Sequence, residues 1–266
     1  MKISDTTPAA IREAWEECAL RIAGNPYVDE LAAVILDALY ARFDESLVLV
    51  RAFLTVPYKA LPPRQHEFAT RLAASVGLER TLSDFTPVHS LLATRGRLPA
   101  WNRPSASRGH VAIPLLSNDF VASIPMMSRL LKELGLPLTW VQDPGANVVK
   151  QAIGSEVGFF YVVDAPGAVD NLGRPIITAQ DFVAEHTVRT VFAVGGTVFG
   201  GAALVLIFFS QDTVDARIAR TFMPLVNLMK GVMVSRCSMS RVFRPEEVAA
   251  GEHRAPAGRT PTLGDR

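Results

Sequence analysis

The sequence predicts an α+β fold: a central antiparallel β-sheet flanked by helices, with helices at the N- and C-terminal ends. Three observations carry this. Between Val191 and Phe209 no charged residue occurs, and Gly195, Gly196, Gly200 and Gly201 punctuate the run where a hairpin would turn. After it, Val214, Ile218, Phe222, Leu225, Met229 and Val232 recur at spacings of three and four, with Arg217, Arg220 and Lys230 off the stripe. Earlier in the chain, short apolar runs such as SLVLVRAFLTV (46–56) and FFYVV (159–163) lie between Pro- and Gly-rich turns, as strands do.

The apolar run is long enough to cross a bilayer as a helix. Its Val, Phe, Ile and Thr content suits a pleated sheet instead. No basic cluster flanks it and no belt of Trp or Tyr marks an interface. It is therefore read as a buried hairpin, and no membrane association is expected.

In chain order, residues 1–10 read as a flexible lead. Ile11–Ile22 forms a short helix with Trp15 and Cys18 on one side, broken by Gly24-Asn25-Pro26. Val28, Leu31, Ala32, Ile35, Leu36 and Leu39 mark a second amphipathic helix. Ser46–Val56 is a strand ended by Pro57, with Arg51 turned to solvent rather than to a carboxylate. Gln65–Val76 is a helix and Val88–Thr94 a strand. Residues 95–118 are the least regular stretch, closing on a strand near His110–Leu116; an irregular segment of that length is often functional. Asn118 or Ser117 caps a helix through Phe120, Ile124, Met127, Leu131 and Leu134, which Pro125 delays or kinks and Gly135 stops. A polar turn follows at Gln142-Asp143-Pro144-Gly145, and Val148–Ile153 is either helix or strand. A loop spans Asp164–Pro175, with a short helix over Thr178–His186. Asp212 or Thr213 caps the last helix, running to Val234 with a kink at Pro224. From Ser235 apolar runs cease. This divides the chain into a lead and short helix (1–25), one domain (26–236) and a disordered tail (237–266).

Composition narrows the function classes. Hydrophobic residues make up 49% of 266, enough for a sizeable core. A net charge of +1, with no basic stripe before the tail, argues against a dedicated nucleic-acid binder. Two cysteines, Cys18 and Cys237, make no disulfide framework, and MKISDTTPAA lacks the apolar core of a signal peptide. A cytoplasmic protein is expected.

The order VRTVFAV, turn, VFGGAALVLIFF, long closing helix resembles the C-terminal half of GAF-type sensor domains. The resemblance is clear over Thr187–Val234 and looser over Tyr27–Val163. It implies a sensor that binds a small molecule and signals through its terminal helices, as a homodimer and with a possible signalling protein partner. It carries over no catalytic residue. Both cysteines lie outside the interior loops that the sulfoxide-reducing members of that family need. Single histidines in some members hold haem, which makes His110 and His186 the candidates here.

Other chemistry finds little support. Asp164, Asp170 and Asn171 lack the spacing of a calcium loop. The five histidines, His66, His89, His110, His186 and His253, form no HxxxH pair and no metal site is expected. Ser155 in GSEVG is not a nucleophile elbow, and no P-loop or GxGxxG opens a helix. Arg95, Arg97, Arg103 and Arg108 can meet an anion, and Trp101 and Trp140 a planar ligand, though solvated charge and packing are the commoner roles.

The resulting expectation is a non-enzymatic sensory domain. Its ligand sits between the sheet and the 95–134 region, against Trp101, Asn102, His110, Phe120 and Met127. The rival readings are a ligand-free dimerisation or docking module, a haem sensor using one histidine, and, last, an enzyme of unrecognised type.

Overall fold

The computed structural model describes residues 1–107, 109–135, 157–198, 202–238 and 241–245. Arg108, Trp140, the 142–145 turn, the 148–153 segment, Gly200, Gly201 and residues 246–266 lie outside them.

The described residues form one six-stranded antiparallel sheet between two layers of helices, the α+β arrangement expected. The strands are β1 (Leu47–Pro57), β2 (Pro87–Gly96), β3 (Ala112–Pro114), β4 (Gly158–Val162), β5 (Thr190–Thr197) and β6 (Ala203–Ser210), in the order β3-β2-β1-β6-β5-β4. β5 and β6 make the hairpin, pairing from Thr190↔Ser210 to Thr197↔Ala203. β1 lies beside β6 although most of the domain separates them in sequence, so the two most apolar strands occupy the centre.

Both faces of the sheet are covered, which is why its strands read as nearly unbroken apolar runs rather than alternating ones. On one face lie helices α1 (Pro8–Ala23) and α2 (Val28–Phe43), together with the last helix, α8 (Pro224–Ser238). Its centre is aromatic. Phe192 and Phe208 are cross-strand partners stacked at 4.7 Å, and Phe222 tilts onto both. α3 (Pro63–Ser75) packs near β3 at the sheet's end.

The other face is covered by α4 (Asn118–Ala122), α5 (Pro125–Glu133), the 164–179 loop and α6 (Gln180–Glu185). Pro125 does more than delay a helix: it separates two, each starting afresh. Ser117 caps the first, its Oγ accepting from Phe120 N–H at 3.1 Å. α5 is held to the edge strand by side chains. Arg129 donates to the Tyr161 carbonyl at 2.8 Å, and Glu133 accepts from Tyr161 N–H at 3.3 Å.

Several expectations are corrected. The lead is not loose, because Ile3 is fully buried and its N–H donates to Ser46 Oγ at 2.7 Å. The closing helix is two, α7 (Ala216–Arg220) and α8, and Pro224 starts the second instead of kinking one. Asp215, not Asp212 or Thr213, caps α7, accepting from Arg217 N–H. The expected tail begins too early at 237. Residues 241 and 242 accept from the N–H groups of Val28 and Asp29 at 2.9 and 3.0 Å, supplying partners for the free donors at the start of α2.

Candidate functional site

A cavity of about 70 Å³ lies between the sheet and α5. The sheet contributes Arg51 and Phe53 from β1, His89 from β2, and Ile207 and Phe209 from β6. Ile124, Met126, Met127 and Leu130 face them from the start and body of α5, while Ile113 and His110 close one end. Most of this lining is apolar, with three groups able to form directed bonds, the usual make-up of a ligand site.

His89 is one of these three. It is 1% exposed and stacks on Phe53 at 5.0 Å. Its Nδ1 lies 3.3 Å from Thr55 Oγ1, but its Nε2 meets no hydrogen-bond partner among the described residues. Burial drives its pKa down to about 3, so the ring is neutral at ordinary pH. A neutral imidazole has one donor and one acceptor nitrogen. If the Thr55 hydroxyl donates to Nδ1, Nε2 carries the proton; otherwise Nε2 accepts. An unpaired buried polar atom costs free energy, and cavities with such atoms are where small polar groups gain most by binding.

Arg51 is the second. The strand position expected to face water is only partly covered in the folded chain. Its Nη2 donates to Ser107 Oγ at 2.9 Å and to the His110 carbonyl at 3.0 Å, and its guanidinium carbon lies 5.1 Å from the Phe53 ring centre. Burial lowers its pKa to about 10, which leaves it charged at neutral pH. The two Nη2 hydrogens are thus used. The partners among the described residues are neutral, a hydroxyl and a carbonyl. His110, the third, is solvent-facing as a whole. Loss of water around its ring, and then the Arg51 charge, lower its pKa.

Of the expected site residues, the fold brings His110 and Met127 to this cavity. Phe120 is buried in the same apolar layer but away from the lining. Asn102 is used internally, its Oδ1 accepting from Gly96 N–H at 2.9 Å. Trp101 meets His186 edge-on at 4.7 Å and Phe182 at 5.5 Å, an aromatic cluster on the flank of the sheet. His89 and Arg51 were not expected. The signal for Arg51 was present, since one charge inside an otherwise apolar strand needs a partner or a purpose.

Haem does not fit this site. The cavity holds about two water molecules at ~30 Å³ each. That leaves no room for a macrocycle beside His110, and His186 lies elsewhere. Asp170 is likewise committed within its loop, accepting from Leu172 N–H and from Arg174. Among the described residues no cluster of three His, Cys, Asp or Glu can hold a metal ion, and no helix is long and apolar enough to cross a membrane.

A larger groove, about 830 Å³, runs between α1 and α8 past Ile11, Met223 and Leu228. Among the described residues its one charged group, Arg12, is exposed and none of its lining residues carries an unpartnered buried polar atom, so the smaller cavity has the more selective chemistry.

No family model and no curated protein matches the sequence. Among solved structures the chain is similar to the phycoerythrobilin-bound GAF domain from a cyanobacterial phytochrome. The identity is 10% and the TM-score 0.43, over 86% of this chain and 97% of that one. The phycocyanobilin-bound GAF domain from a cyanobacterial phytochrome gives 10% and 0.44, over 88% and 98%. The architecture above stands on its own strand order.

Proposed function

We propose that this chain is a small-molecule-binding sensory domain of GAF type, with its ligand in the cavity between the sheet and α5. The observation that carries the reading is His89: a buried, neutral imidazole that lines a mostly apolar cavity and whose Nε2 meets no hydrogen-bond partner among the described residues. In this reading binding shifts α5 against the sheet. The shift passes through β6 to α7 and α8, which signal as part of a homodimer or to a protein partner in the cytoplasm.

The test is thermal unfolding of the full chain against a set of small acids, amides, alcohols and amines of about five heavy atoms or fewer. A ligand that binds only the folded state raises the unfolding temperature saturably. At least one compound should do so in the parent chain and none in Ile207→Trp, whose indole fills the cavity. A set with no stabiliser, or one equally effective in Ile207→Trp, overturns the reading.

A further inference from the structure

We infer that Arg129 and Glu133 guard a free edge of the sheet, and that without them β4 pairs antiparallel with β4 of a second copy of this chain. The inference stands apart from the cavity and does not depend on a ligand being bound there.

β4 is the last strand on its side of the sheet among the described residues. A last strand presents a row of backbone groups that another chain can pair with. The register of β4 with β5 runs unbroken from Gly158↔Gly195 to Val162↔Val191. In an antiparallel pair, successive residues turn their N–H and C=O alternately toward the neighbouring strand and away from it. Tyr161 turns away. Its carbonyl accepts from Arg129 Nη2 at 2.8 Å, and its N–H donates to Glu133 Oε2 at 3.3 Å. Two side chains thus take up the two groups that a further strand would use. They are fixed by their own ion pair, Arg129 Nε to Glu133 Oε1 at 2.6 Å, one helical turn apart on α5.

β4 lacks the protection that edge strands ordinarily carry in themselves: proline, lysine, a bulge or very short length. The opposite edge has it, since β3 is three residues long and ends at Pro114. The β4 run GFFYV holds no charge and no proline, and Val163 just beyond it is 50% exposed. Aromatic and β-branched residues of this kind suit a sheet. The run also complements itself. A two-fold axis at Tyr161 sets Phe159 of each copy opposite Val163 of the other, the isologous contact of a symmetric dimer. α5 keeps its own hold on the sheet through Leu130, Leu131 and the adjoining Leu134, all buried in the apolar layer. Removing the two polar side chains therefore bares the edge and leaves the helix seated.

The experiment is sedimentation of the full chain over a range of concentrations, with amide hydrogen exchange of residues 158–163 followed on the same samples. The variant Arg129→Ala with Glu133→Ala should self-associate about tenfold or more tightly than the parent, because main-chain hydrogen bonds supply the affinity of added strands. Exchange at the Phe159 and Tyr161 amides should slow as it associates. Adding Val163→Lys should reverse the association, a lysine being an ordinary edge protector. Near-UV circular dichroism like the parent's shows that the fold is kept. If the double variant loses its fold, Arg129→Ala alone, which frees the Tyr161 carbonyl, is read in the same way. Association no stronger than the parent's, or association without slower exchange in 158–163, overturns the inference.

Discussion

At the scale of single residues, His89 links the site to the stability of the fold. Its pKa is about 3 in the folded chain, against roughly 6.5 for an exposed histidine. As pH falls through 6.5 the unfolded chain takes up a proton that the folded chain refuses, so stability drops toward acid and is complete only above that value. Between pH 7 and pH 5 this amounts to about 2 kcal/mol, one pH unit being worth ~1.4 kcal/mol. Urea unfolding of the parent chain and of His89→Leu at the two pH values should therefore differ in slope, the variant being flatter by about that amount. Parallel slopes would mean that His89 is accessible to protons in the folded state. The sequence did not distinguish this histidine from the other four. What sets it apart is Thr55, 34 residues away in β1, and a cavity wall supplied by α5. Neither is local in sequence. Arg51 differs. Its placement in an apolar strand was legible, but its surroundings depended on Ser107 and His110 meeting its guanidinium, which spacing along the strand does not reveal.

At the scale of elements, the strands and helices follow closely from apolar spacing, and misreadings fall where a single residue changes the backbone. Pro125 and Pro224 each begin a helix, because a proline at the first helical position loses no hydrogen bond that the helix would have made. From the sequence, Pro224 reads as an interior kink and Pro125 as a delay or a kink. The split at Pro125 matters for the site, since it lets α5 set its own angle over the sheet. Two variants test how that angle is held. Ser117→Ala removes the cap on α4 and should cost about 1 kcal/mol in urea unfolding. Gly158→Ala should cost about 1–3 kcal/mol, because the added methyl would run into the backbone of Leu134 at the end of α5. If Gly158→Ala were neutral, β4 and α5 would not be in the close contact described.

At the scale of the whole molecule, the two ends of the domain are tied together on one face of the sheet. Arg236 donates to the carbonyls of Asn25 and Ile22, and the 241–245 segment meets the start of α2 through two backbone hydrogen bonds and the Arg244 N–H to Asp29. A chain ending at residue 240 should lose about 1–3 kcal/mol, since buried donors at the start of α2 lose their partners. An unchanged unfolding midpoint would show that the segment contributes nothing. This bundle lies across the sheet from the cavity, joined to it by β1 and β6, each of which carries side chains to both layers. A ligand that moves α5 must act on the terminal helices through those strands.

The most direct test of the cavity as a ligand site is a methyl spectrum of the full chain labelled at its seven methionines, recorded with the same small-compound set. Met126 and Met127 line the cavity, whereas Met229 and Met233 are buried on the opposite face. A ligand in the cavity shifts the first pair strongly and saturably, and the second pair little. Shifts confined to Met229 and Met233, or no saturable shift from any compound, would contradict it.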